Sequence, residues 1–119
     1  MTGDTITLGE IAHARSGDKG NHANVGVIAY THAGYEFIRQ QLSSERVERY
    51  FAPLAPTRVE RFELPRLGAL NFLLHNALAG GASQSLRIDT QGKLLGTSVL
   101  ELELPRPANL TAMLRARKG

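Results

Sequence analysis

Ser16-Gly17-Asp18-Lys19-Gly20-Asn21, followed by Asn24, gathers two glycines, two opposite charges and three small polar side chains into one short stretch. Glycine reaches positive φ at low steric cost, and Ser, Asp and Asn side chains bond to nearby backbone groups. A loop of this composition is therefore able to turn several N–H donors toward one point. With Lys19 beside them, such donors form a nest for an anion, whether a carboxylate, a phosphate or a coenzyme A group. Two readings of Lys19 stand side by side: a cation aimed at that ligand, and a solvated surface lysine. Asp18 is read as a turn cap bonded to the amides of Lys19 or Gly20, in preference to a catalytic carboxylate. Asn21 and Asn24 either offer amide N–H groups to a substrate carbonyl or close the loop and open the next strand, the second being the weightier reading.

Other chemistries fit these residues less well. Ser16, Asp18 and His22 suggest a hydrolytic triad, but neighbours on one loop seldom let a nucleophile reach its base and the base its orienting group. Gly17-Asp18-Lys19-Gly20 has the G-x-x-G spacing of an RNA-clamping loop, yet strands are expected on both sides and Asp18 opposes phosphate. No phosphate-binding G-x-x-x-x-G-K-[ST] pattern occurs. His13, His22, His32 and His75 are the only imidazoles, and none forms an H-x-H or H-x-x-x-H pair, so no metal site is expected. Asn71 and His75 stand four apart; on a helix they share a face, there to line a polar pocket or to mark the solvated side. Gly80-Gly81-Ala82-Ser83 reads first as a helix stop. Arg87 is expected to pair with Glu101 or Glu103 across a hairpin. No residue is assigned a catalytic role.

The elements that must position these groups come from one small chain. Its 119 residues suffice for a single domain with one core and not for two. There is no run of about 18 apolar residues. The start, Met1-Thr2-Gly3-Asp4, lacks the basic-then-apolar pattern of a signal peptide, so a cytoplasmic protein without membrane contact is expected. The absence of cysteine excludes disulfides, thiolate metal sites and cysteine nucleophiles. The net charge of +3 comes from the end of the chain, since Arg106, Arg115, Arg117 and Lys118 follow Leu104 with no acid among them. The rest of the chain lacks the clustered basic face that nucleic-acid binding needs.

Periodicity then predicts the elements. Thr5 to Ala12 is a strand with Ile6, Leu8 and Ala12 inward, and Asn24 to Tyr30 a strand buried on both faces. Tyr35, Phe37, Ile38 and Leu42 mark a helix, and Ser44 caps a second one carrying Val47, Tyr50 and Phe51. Thr57 to Leu64 alternates as a strand with Phe62 and Leu64 inward. Ala69 to Leu78 reads as the clearest helix, with Leu70, Leu73, Leu74, Ala77 and Leu78 at i, i+3, i+4 spacing. Ser85 to Asp89 and Val99 to Leu104 form a hairpin. The expected class is α+β: about five mainly antiparallel strands with helices packed on one face. Residues 105–119 form a basic tail or a short docking helix around Leu110, Met113 and Leu114.

Two stretches resemble a known family. Ile11-Ala12-His13-Ala14-Arg15-Ser16-Gly17-Asp18-Lys19-Gly20-Asn21 with Ala23-Asn24-Val25-Gly26-Val27-Ile28-Ala29 is similar to the C-terminal domain of the AtuA family of acyclic terpene utilization proteins. Ala69-Leu70-Asn71-Phe72-Leu73-Leu74-His75, then Ala77-Leu78-Ala79-Gly80-Gly81, Ser85-Leu86-Arg87-Ile88-Asp89 and Gln91-Gly92-Lys93-Leu94 resemble the family's second signature, in the same order. The resemblance runs from about Leu8 to Leu104 and implies a ferredoxin-like sandwich, one domain over residues 1–104. In that family the domain commonly follows a much larger N-terminal region. The resemblance therefore implies an accessory small subunit or domain that meets a large AtuA-type chain lacking it. There it would support a site for an acyl-CoA or carboxylate substrate in the catabolism of acyclic terpenes or related acids. It implies no cofactor, a coenzyme A thioester entering only as a candidate substrate. The alternative is a stand-alone homo-oligomer that binds a small anion, or acts on one, through the Ser16–Asn21 loop and Asn24. A structural dimerisation module is a third reading, because the sheet leaves a surface and edges to cover.

Overall fold

In the computed structural model, residues 4–19, 22–77 and 94–115 are described, apart from the side chains of Asp18, Lys19 and Leu94. Strand β1 (Thr5–Thr7) leads through a 3-10 turn (Leu8–Glu10) to β2 (Ala12–Lys19) and β3 (His22–Ala29). Helices α1 (His32–Gln41) and α2 (Ser44–Tyr50) follow, then β4 (Arg58–Leu64) and β5 (Ala69–His75). After residues 78–93 come α3 (Leu94–Val99), β6 (Glu103–Pro105) and a last 3-10 turn (Leu110–Met113). The expected α+β class holds.

The main sheet has four strands in the order β2-β3-β5-β4, every neighbouring pair antiparallel, and β1 pairs with β6 in a separate two-stranded ribbon. Because successive side chains of a strand point to opposite faces, register decides which residues share a face. Ala23, Val25 and Val27 of β3 stand opposite Leu74, Phe72 and Leu70 of β5, and all six are buried. This face packs against Tyr35 and Ile38 of α1, Val47 of α2, and Leu95 and Val99 of α3, forming one core with Ile6, Leu8, Leu102 and Leu104. Such burial of branched and aromatic side chains, each contributing roughly 1.5–3 kcal/mol, holds the helices to a single side of the sheet.

Local chemistry fixes the helix ends. The Thr31 hydroxyl accepts from the Gly34 N–H at 3.0 Å and starts α1, while it donates to the Ala112 carbonyl at 2.8 Å. That second bond ties the C-terminal 3-10 turn to α1, with Met113 buried beneath it. Ser43, rather than Ser44, caps α2, accepting from the Arg46 N–H at 3.0 Å. Close approach explains Gly96: a Cβ there would lie 3.0 Å from Ser16 Oγ and 3.2 Å from the backbone of β2, so α3 rests directly on that strand.

Several expectations are corrected. Residues 69–75 form a central strand, not a helix. Leu70, Phe72 and Leu74 carry a period of two that the longer 3.6-residue match hid, and pairing with β3 on one side and β4 on the other selects it. Left-handed Gly68 and Asn76, at φ of 62° and 60°, flank that strand. The first strand splits at the Leu8–Glu10 turn, where the Gly9 N–H bonds to the Leu100 carbonyl, although Ile6, Leu8 and Ala12 are all buried as expected. Strand β3 is buried on one face only. Residues 94–99 are helical, and Glu103–Pro105 extends and pairs with β1. The expected strand at residues 85–89, Arg87 and the glycines at 80 and 81 lie outside the described residues.

Candidate functional site

Helices cover one face of the four-stranded sheet, and among the described residues nothing covers the other. Its cross-strand rungs follow from register. Arg15, Gly26, Asn71 and Phe62 make one rung, from β2 through β3 and β5 to β4. Gly17, Asn24, Leu73 and Glu60 make the next, and His13, Ile28, Ala69 and Leu64 lie on the other side. A cleft of about 570 Å³ follows this surface, lined by Arg15, Asn24, Gly26 and Asn71 and, at its apolar end, by Ile28 and Leu64 with Leu67 from the Pro65–Leu67 turn. Ligand clefts typically fall between about 300 and 1,000 Å³.

Gly26 makes the cleft possible. With no side chain at the centre of the sheet, the floor is bare backbone, and the Asn71 Oδ1 lies 3.6 Å from the point a Cβ would take. Among the described residues the side chains of Arg15, Asn24 and Asn71 have no hydrogen-bond or ion-pair partner. A guanidinium and two carboxamides thus border one hollow with their bonding capacity free, and carboxamide N–H groups and a guanidinium suit an anionic oxygen ligand. One wall is braced: His13 stacks on Tyr30 at 5.5 Å, and Arg115 lies over the same Tyr30 ring at 5.6 Å.

A second polar cluster occupies the end of the face nearer the β2–β3 tip. The His75 Nε2 and the Glu60 carboxylate are 2.8 Å apart, and Arg58 reaches the same carboxylate at 3.3 Å. These contacts hold the Glu60 carboxyl below its ordinary value, the hydrogen bond with His75 first and then, against a partial offset from burial, the Arg58 charge. His22 packs edge-on to His75 at 5.1 Å, and its Nδ1 accepts from the Asn76 N–H at 3.0 Å, which leaves the ring proton on Nε2. Among the described residues no group of three or more metal-ligating side chains is placed to hold an ion.

Sequence reasoning placed the site in a loop; the structure makes much of that loop a strand. Ser16, Gly17, Asp18 and Lys19 belong to β2 and pair with Val25, Asn24, Ala23 and His22 of β3. In an antiparallel strand successive N–H groups point to opposite edges, so these amides do not converge as a nest. Ser16 lies against α3, its Oγ accepting from the Gly96 N–H at 2.9 Å, whereas His22 stands on the open face, so the two share no triad. Gly17 lines the cleft with Asn24 and Asn71. His75 shares their face but belongs to the Glu60 cluster. Asn71 and His75 are co-facial as expected, for a different reason: a spacing of four is even, and in a strand every second residue returns to one face. Gly20 and Asn21 lie outside the described residues, as do the side chains of Asp18 and Lys19.

Sequence reasoning missed Arg15, Gly26, Glu60 and the apolar end of the cleft. The period-two signal that finds Arg15 was present, since His13, Arg15, Gly17 and Lys19 alternate once residues 12–19 are taken as a strand. Phe62 and Leu64 were expected inward, but Val59 faces the core while Phe62 and Leu64 are 45% and 39% exposed on the open face. Arg61 instead turns toward the helices, donating to the Arg39 carbonyl at 2.9 Å. The open face thus displays large apolar side chains beside polar ones that lack partners among the described residues.

Among the described residues, an antiparallel sheet with helices on one face and a partly polar cleft on the other makes this a small α+β domain. The chain belongs to the family described as the AtuA ferredoxin-like domain, whose model matches residues 6–105. With no cysteine in the sequence, that description denotes the fold and not a thiolate-bound iron–sulfur cluster. Comparison with curated proteins and with solved structures gives no match. Among the described residues no helix is long and apolar enough to cross a membrane.

Proposed function

We propose that this domain is an accessory binding unit of an AtuA-type protein, docking through its open sheet face onto a large AtuA-type region and supporting there a site for an acyl-CoA or carboxylate substrate. The observation that carries the reading is the face left uncovered among the described residues. Phe62, Leu64 and Leu67, the last 68% exposed, adjoin a cleft in which the Arg15, Asn24 and Asn71 side chains have no partner among the described residues, so both apolar area and hydrogen-bonding capacity stand open to an incoming surface. Family membership supports the choice of partner, and the family's link with acyclic terpene breakdown supports the substrate class. The cysteine-free composition fits a reducing, cytoplasmic setting.

Co-expression with a large AtuA-type chain that lacks this domain tests the reading. The pair is expected to co-purify, and Phe62→Asp, which sets a charge at an exposed position without entering the core, is expected to release the small chain while its melting temperature stays close to wild type. Failure of the wild-type pair to associate, or a Phe62→Asp variant that associates as well as wild type, overturns it. The alternative of a homo-oligomer is read in the same preparation: a defined oligomer of the chain alone, dissociated by Phe62→Asp, favours it.

A further inference from the structure

The strongest feature outside the expected site residues is Arg15, with the empty position at Gly26 beside it. We infer that the open-face cleft binds a free carboxylate bearing an apolar chain, Arg15 holding the carboxylate and the hollow over Gly26 setting which ligands fit. The inference rests on the binding role proposed above and narrows its ligand from acyl-CoA or carboxylate to the free acid.

Three observations carry it. First, the charge is one-sided. Arg15 has no acidic partner among the described residues, while the acid placed on the same face, Glu60, is already engaged by His75 and Arg58. An unpaired guanidinium on an amide-lined hollow favours an anion with two oxygens, which it meets through two parallel hydrogen bonds; a neutral thioester carbonyl offers neither the charge nor the second oxygen. Second, Asn24 and Asn71 on the neighbouring strand positions add amide donors around the same point. Third, polarity falls off across the sheet, from Arg15 on β2 to Leu64 on β4 and Leu67 just beyond it. Three inter-strand steps separate those ends, about 14 Å at the usual strand spacing. A charged head at β2 therefore lays its chain over Gly26 and Ala69 toward exposed leucines that otherwise face water.

The test uses the purified full chain and amide-resolved NMR titration with octanoate, octanamide, acetate and inorganic phosphate. Octanoate is expected to shift the backbone amides of Asn24, Gly26 and Asn71 and to saturate, with octanamide weaker by about tenfold or more, since it lacks the charge and second oxygen that Arg15 would meet, and acetate weaker by about tenfold or more, since it lacks the chain that Leu64 and Leu67 would cover. Arg15→Gln is expected to erase the preference for octanoate over octanamide. Gly26→Val is expected to weaken both while keeping the fold, because the new side chain occupies the hollow. Equal binding of octanoate and octanamide, saturation by phosphate as tight as by octanoate, or no shift at these amides at millimolar ligand each overturns the inference. None of these outcomes bears on whether the domain docks on a large chain, which co-purification reads separately.

Discussion

Gly96→Ala tests whether α3 is seated on β2 as closely as the structure shows. A helix normally gains about 1 kcal/mol from this exchange, because glycine is the poorer helix former. Here the added methyl would meet Ser16 Oγ at 3.0 Å, the Arg15 carbonyl carbon at 3.2 Å and the Ser16 nitrogen at 3.2 Å. Two of the three are backbone atoms of a strand held in register by β3, so relief has to come from moving α3. Moving it stretches the 2.9 Å bond from the Gly96 N–H to Ser16 Oγ, worth roughly 0.5–1.5 kcal/mol, and opens the packing of Leu95 and Val99. Overpacking of this kind costs typically 1–3 kcal/mol, so a net loss of about 1–2 kcal/mol is expected. With an unfolding entropy near 2.1 cal/mol/K per residue, a chain of 119 residues loses about 4 °C in Tm per kcal/mol, hence about 4–8 °C by calorimetry. Gly26→Ala is the internal control: its methyl meets nothing nearer than 3.6 Å, and removing a strand glycine is expected to raise Tm by about 2–4 °C. A Gly96→Ala protein as stable as wild type, or more so, refutes the seating of α3.

Glu60→Gln gives a pH signature. The Glu60 carboxyl is lowered from its ordinary 4.5 in the folded chain, first through its hydrogen bond with His75, so ionisation favours folding. That stabilisation is complete above the unfolded value and fades as pH falls through the lowered folded one. The stability difference between wild type and Glu60→Gln, measured by urea denaturation, is expected to stay level from neutral pH down to about pH 5 and to shrink below it; a difference that widens on acidification contradicts the assignment. Tyr35 is 3% exposed and its hydroxyl has no hydrogen-bond partner among the described residues, so Tyr35→Phe removes a desolvated polar group and is expected to leave stability unchanged or raise it by up to about 1–2 kcal/mol. A loss above about 1 kcal/mol in denaturant unfolding would show that the hydroxyl is bonded after all.

The sequence by itself determined the family, the α+β class and most of the inward-facing residues, because apolar side chains and the motif residues are local facts. Ile6, Leu8, Val25, Val27, Ile38 and Leu42 are buried as their types require. Tertiary structure decided the rest. Residues 69–75 satisfy both a helical and a strand period, and only the hydrogen-bond partners supplied by β3 and β4 on either side select the strand. Residues 16–19 carry loop-forming residues, yet pairing with β3 extends them, so that the open face presents side chains in place of a converging set of peptide N–H groups. The cleft was beyond local reading because its members come from all four strands of the main sheet and an adjoining turn and gain meaning only through register: Arg15, Gly26 and Asn71 are far apart in sequence and adjacent in the sheet. Phe62 and Leu64 show the limit most plainly, since hydrophobicity alone sends them inward, whereas the helices lie on the other face and leave them exposed on the side where a partner or ligand would bind.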